Sequence, residues 1–99
     1  MNLLWFFVLA ATVLASATTG LAGSAEPPAG AMACSGCHPV GSGVETSVPR
    51  LAGRKVEEIV AQMRAFRSGQ RGATVMDRIA KGYSDAEVET IAEWYEAQQ

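Results

Sequence analysis

Cys34-Ser35-Gly36-Cys37-His38 places two thiols three positions apart, with a histidine directly after the second. On a helical turn, thiols at that spacing reach the two vinyl groups of one porphyrin, and the adjoining histidine lies under the iron. Two other readings of the run lack support. A thioredoxin-type redox pair wants a βαβ context, and no strand pattern occurs anywhere in the chain. A structural zinc site needs four ligands, whereas the sequence offers two cysteines and one histidine. His38 is the one histidine of the chain, so two histidines cannot ligate one iron within a single copy.

Working outward, the chain needs a staple. Residues 3–17 read LLWFFVLAATVLASA, uncharged and too short and too frayed by Thr and Ser for a membrane span. Small residues follow, offering cleavage after Ala22 or Ala25, which is the layout of a secretory signal peptide in residues 1–25. No Lys or Arg precedes the apolar run, and an uncleaved membrane anchor is the competing reading. Cleavage would leave a domain of residues 26–99 with no membrane span, exported to the periplasm. That domain is small enough to need a disulfide, metal or cofactor. A bridge between Cys34 and Cys37 would close a trivial loop and constrain the unfolded chain very little. The staple is therefore something these cysteines hold, and haem c, one and covalent, is the expectation.

The remaining pattern predicts an all-α domain of three or so short helices. One runs from about Ala29 into Cys34. A second covers about Arg54 to Phe66, where Val56, Ile59, Val60, Met63 and Phe66 form one stripe before Ser68-Gly69 stops it. The third opens at Ser84 with Glu87 three residues on, a capping box, and buries Val88, Ile91, Ala92 and Tyr95, with Trp94 packing on the first helix. Residues 39–53 and 70–83 read as loops. Loops of that length in so small a domain make sense when they wrap a cofactor.

A sixth iron ligand must come from elsewhere, and methionine raises the potential of an electron carrier. Met1 is the initiator and Met32 is too near Cys34 to cross to the other face. Met63 lies on the apolar stripe and reads as core packing. Met76, 38 residues beyond His38 in an irregular segment, is the expected distal ligand. The competing reading makes Met76 a buried apolar residue and leaves the iron open or water-bound. Pro49 is a candidate to accept the His38 Nδ1 proton through its carbonyl, which would fix the ring. Leu51, Ile79, Ile91 and Tyr95 are candidate pocket walls, or core residues. Tyr83 and Arg50 are candidate contacts for a haem propionate.

The net charge of −2 argues for neither nucleic acid nor an acidic substrate. Its distribution is uneven. Between Arg50 and Lys81 eight basic residues face three acids, whereas Gly82 to Gln99 carries five acids and no base. Two solvated helix faces would account for this. A molecular dipole that orients the chain towards a partner would do so as well.

The CSGCH run, the VPRLAG turn of residues 48–53, the helix VEEIVAQMRAFRSGQR and the closing YSDAEVETIAEWY together resemble class I cytochromes c, over residues 33–99. The segment TVMDRIAKGYSDAEVETIAEWYEAQQ and the start EPPAGAM are more narrowly similar to the cytochrome subunit of flavocytochrome c sulfide dehydrogenase. That resemblance implies Met76 as distal ligand. It also implies an FAD-containing, sulfide-oxidising partner subunit that passes electrons to this haem, and a soluble acceptor such as another cytochrome c. The chain would then be an electron-transfer subunit, not catalytic by itself. The alternative is a free, diffusible periplasmic shuttle. Two departures stand out: a single CxxCH where some members carry two haem domains, and a shorter helix before Cys34.

Overall fold

The computed structural model describes residues 26–98, so the leader expected in residues 1–25 lies outside the described residues. Four helices and no strand occur among the described residues: α1 (Ala31–Ser35), α2 (Val56–Ser68), α3 (Met76–Ala80) and α4 (Asp85–Glu96). The all-α expectation holds. The segment around Met76 is corrected from loop to a one-turn helix.

The ends of these helices follow from their sequences. Gly69, at φ 79° in the left-handed region, closes α2 two residues later than the hydrophobic stripe alone suggested. Ser84 Oγ accepts the Glu87 backbone N–H at 3.2 Å and caps α4, as its sequence predicts. The α2 and α4 stripes face each other. Ile59 of α2 and Ile91, Ala92 and Tyr95 of α4 close around Ala31 of α1 as one buried cluster, with Val56, Val60, Met63 and Trp94 packed against it.

Very short α1 is held by α4 at two points. The fully buried Tyr95 hydroxyl lies 2.9 Å from Ser35 Oγ and donates to the Ala31 carbonyl at 3.3 Å. Burial pushes the Tyr95 phenol above its ordinary range, although the Ser35 hydrogen bond partly opposes this. At the other end of α1, Gly30 has φ 89°, and a Cβ there would sit 2.8 Å from Tyr83 Cε1 and 3.0 Å from Ile91 Cδ1. Only glycine lets the chain enter α1 this close to α4.

The 39–53 loop is irregular in outline but pinned within itself. Arg50 donates to the Gly41 carbonyl at 2.9 Å and the Val40 carbonyl at 2.8 Å, while Arg54 Nε donates to the Arg50 carbonyl at 2.7 Å. Its far end is tied to α4 by the Gly53 N–H on the Tyr95 carbonyl at 2.9 Å. Among the described residues, ion pairs at the surface join Lys55 with Glu96 at 3.3 Å, and Asp85 with Arg67 at 2.6 Å and Arg64 at 3.5 Å.

Two outcomes are expected. Gly30→Ala combines a left-handed backbone with a clash against Tyr83, and should lower unfolding free energy by about 2 kcal/mol or more, read from the denaturant midpoint. The Arg67 hydrogen bond holds the Asp85 carboxyl below the usual carboxylate range. A depressed carboxylate stabilises above its unfolded pKa of about 3.9, and that stability is lost as pH falls through the lower folded value. Asp85→Asn should therefore flatten the decline in stability below about pH 4, measured by denaturation at a series of pH values.

Candidate functional site

A cavity of about 750 Å³ opens between α1, α2, α3 and the 39–53 loop, within the ~300–1,000 Å³ range of sites that take up a whole ligand or cofactor. One wall is the turn that carries Cys34, Cys37 and His38. The turn is tight because the His38 N–H bonds the Cys34 carbonyl at 2.8 Å and the Cys37 N–H bonds it at 3.1 Å. The two cysteines are not bonded to each other; Cys34 is half-buried and Cys37 exposed. Burial is the main cause that pushes the Cys34 thiol above its ordinary range.

His38 is buried beside them, 9% exposed. Its Nδ1 lies 2.6 Å from the Pro49 carbonyl. A carbonyl can only accept, so Nδ1 carries a proton, and in the neutral ring this leaves the lone pair on Nε2. That is the tautomer a metal-ligating histidine requires, with its ring orientation fixed from behind. The expected Pro49 contact is therefore present, and the Arg50 and Arg54 hydrogen bonds in the same loop hold that carbonyl in place.

Met76, the first residue of α3, and Met63 from the middle of α2 line the same cavity. Met63 therefore does more than the core packing its stripe suggests: it packs against the buried cluster and lines the cavity as well. Leu51, Ile79 and Ile91 line it as expected, and Tyr83 lines it too. Tyr95 does not, because its hydroxyl is drawn into α1. Nor does Arg50, whose guanidinium is committed to the Val40 and Gly41 carbonyls. Sequence reasoning missed Arg71 and Arg78 at the cavity wall. Arg71 lies over the Phe66 ring, 4.8 Å from its centroid, and one signal could have found it: Phe66 ends the α2 stripe just before the Arg71 turn.

The fit to a planar, iron-containing macrocycle is direct. Two thiols at attachment spacing, an imidazole with a free Nε2, two thioethers and walls of Leu, Ile, Val and Phe converge on one cavity. Among the described residues no group of three or more His, Cys, Asp or Glu could hold a metal ion by itself, so an iron here would need a porphyrin to complete its ligands.

The chain is similar to known cytochromes. Cytochrome c-554(548) of Halomonas halodenitrificans is 33% identical over 70 residues, covering 67% of this chain and 84% of that protein. The chain belongs to the class I cytochromes c. Other cytochrome relatives are longer. The cytochrome subunit of sulfide dehydrogenase of Chlorobaculum tepidum is 36% identical over 64 residues, 65% of this chain and 58% of that protein. A thiosulfate dehydrogenase electron acceptor of Stutzerimonas stutzeri is 41% identical over 66 residues, 63% of this chain and 31% of that protein. This chain thus spans 58% of the one and 31% of the other. No family model matches it. As a cytochrome c it is an electron-transfer protein that uses haem c.

Proposed function

We propose that Cys34 and Cys37 hold one covalent haem c with His38 and Met76 as axial ligands, and that the chain is the periplasmic haem subunit of a sulfide-oxidising flavoprotein. The observation that carries the site is the 2.6 Å contact of His38 Nδ1 with Pro49, which prepares Nε2 as a ligand beside both thiols. Bound haem supplies one-electron redox chemistry. The protein's part is to fix, insulate and tune. The two cysteines anchor one edge, and the Pro49 carbonyl sets the basicity of His38. The apolar walls exclude water, and a Met76 thioether would favour the reduced iron.

Similarity to a sulfide dehydrogenase subunit supports the partner, whose FAD would deliver electrons singly to this chain. The surface is compatible with a lasting interface: Val75 is 51% and Ile79 38% exposed at the cavity, and Met32 on the cysteine-bearing helix is 68% exposed. The second reading, a free shuttle that docks through its basic 50–81 region and passes electrons to a soluble acceptor, draws support from the electron-acceptor relatives. Among the described residues no helix is long and apolar enough to cross a membrane. The leader in residues 1–25 would supply export.

Purification of the tagged chain from a haem-maturing host containing its native neighbours tests the partner. Flavin co-eluting in about equal amount with a larger polypeptide is the expected result; haem on a small monomer would make the chain a shuttle. Replacing each cavity methionine tests the ligand. Met76→Ala should abolish the far-red sulfur-to-iron band of the oxidised protein and lower its potential, whereas Met63→Ala should keep the band; the reverse pattern would make Met63 the ligand.

A further inference from the structure

The helix that presents Met76 has little within itself to hold it in place and relies on its packing against α2. Five residues make a single turn, below the length at which helices sustain themselves. Its N-cap residue, Val75, supplies no side-chain hydrogen bond. Ala80 alone is fully buried, while Val75 and Ile79 are exposed. Whatever fixes Met76 at the cavity wall must therefore act from outside α3.

One side chain does so. Arg67, on the last turn of α2, sends its guanidinium to three residues at once. Nε donates to the Ala80 carbonyl at 3.2 Å, Nη2 to the Tyr83 carbonyl at 2.7 Å and Nη1 to Asp85 Oδ1 at 2.6 Å. Ala80 O is one of the C-terminal carbonyls that α3 cannot satisfy within itself. Tyr83 O lies in the turn that follows, and Asp85 opens α4. The three acceptors thus span the segment from the last residue of α3, four positions after Met76, into the last helix. Hydrogen bonds from a charged donor are the stronger kind, and a planar fork aimed at several acceptors is something lysine cannot reproduce.

Arg64, one turn earlier on α2, provides the contrast. It also pairs with Asp85, but at 3.5 Å with a side chain 62% exposed, and makes no contact with a carbonyl of α3 or its turn. Arg67 is 30% exposed at the same acid and is absent from the cavity wall.

We propose that Arg67 is a positioning residue for the distal ligand: by clamping the Ala80 and Tyr83 carbonyls to the end of α2, it sets how firmly Met76 stays on the iron. This rests on the reading of Met76 as that ligand. A methionine can leave the iron by rotating its flexible side chain or by movement of its segment, and movement of α3 breaks the Arg67 contacts. The clamp therefore works against an external ligand that competes for the same position.

Imidazole titration of the oxidised holoprotein, followed by loss of the far-red sulfur-to-iron band, tests this on wild type, Arg67→Gln, Arg67→Lys, Arg64→Gln and Met76→Ala. Arg67→Gln should bind imidazole about ten-fold more tightly, in keeping with the loss of charged hydrogen bonds. Arg67→Lys should fall between it and wild type, and Arg64→Gln should match wild type. If Arg67→Gln yields no holoprotein, the lysine variant decides by the same shift. Unchanged affinity in both Arg67 variants, or an equal shift in Arg64→Gln, overturns the clamp while Met76 ligation stands. A Met76→Ala protein that keeps its band overturns the ligand, and the clamp with it.

Discussion

A chain this short that frames a cavity of about 750 Å³ cannot be organised by its apolar core alone. Among the described residues the buried apolar ones are Ala31, Ile59, Ala80, Val88, Ile91, Ala92 and Tyr95, three of them alanines that contribute little hydrophobic area. The rest of the structure depends on surrounding that cavity with a rigid frame. The helix pair α2 and α4 forms the frame, and shorter pieces are tied to it by hydrogen bonds. Tyr95 and Gly30 bring the cysteine-bearing turn onto α4. Arg50 and Arg54 stiffen the loop that meets His38. Arg67 draws in the segment of Met76. The Tyr95 and Arg67 attachments join a short element to a long one, whereas the arginines of the loop pin it to itself. The axial candidates and both thiols therefore sit on elements too short to place themselves.

This arrangement explains what could be read from residues alone. The cysteine and histidine spacing was legible because it encodes its chemistry within five adjacent positions. The two long helices were legible because a stripe of Val56, Ile59, Val60, Met63 and Phe66, or of Val88, Ile91, Ala92 and Tyr95, repeats over several turns, and because Ser84 is a local cap. The Pro49 contact was legible because a proline before Arg50 presents a carbonyl on a turn. Helix α3 was not. Five residues, Met76 to Ala80, are too few to display a period, and what stabilises them is a guanidinium 13 residues away in sequence from Ala80.

The misplaced side chains have the same origin. Tyr95 shares a stripe with Ile91, and a stripe tells only that a residue faces inward. Whether its tip ends in the cavity or against α1 was decided by Ser35, sixty positions earlier. Arg50 has the charge to meet an anionic group, but two carbonyls of its own loop claim its guanidinium first. Met63 reads as packing because a methionine in a stripe usually is, and here the core cluster and the cavity wall meet at that residue. The charge asymmetry survives folding as a basic middle and an acidic α4, and suits either a lasting partner or a transient one.

The mass of the denatured chain, purified from a haem-maturing host and stripped of everything not covalently bound, tests the central claim most directly. A polypeptide heavier by one haem, with neither Cys34 nor Cys37 open to alkylation, is the predicted result. An unmodified mass with both thiols reactive, from a host that matures other c-type cytochromes, would contradict it.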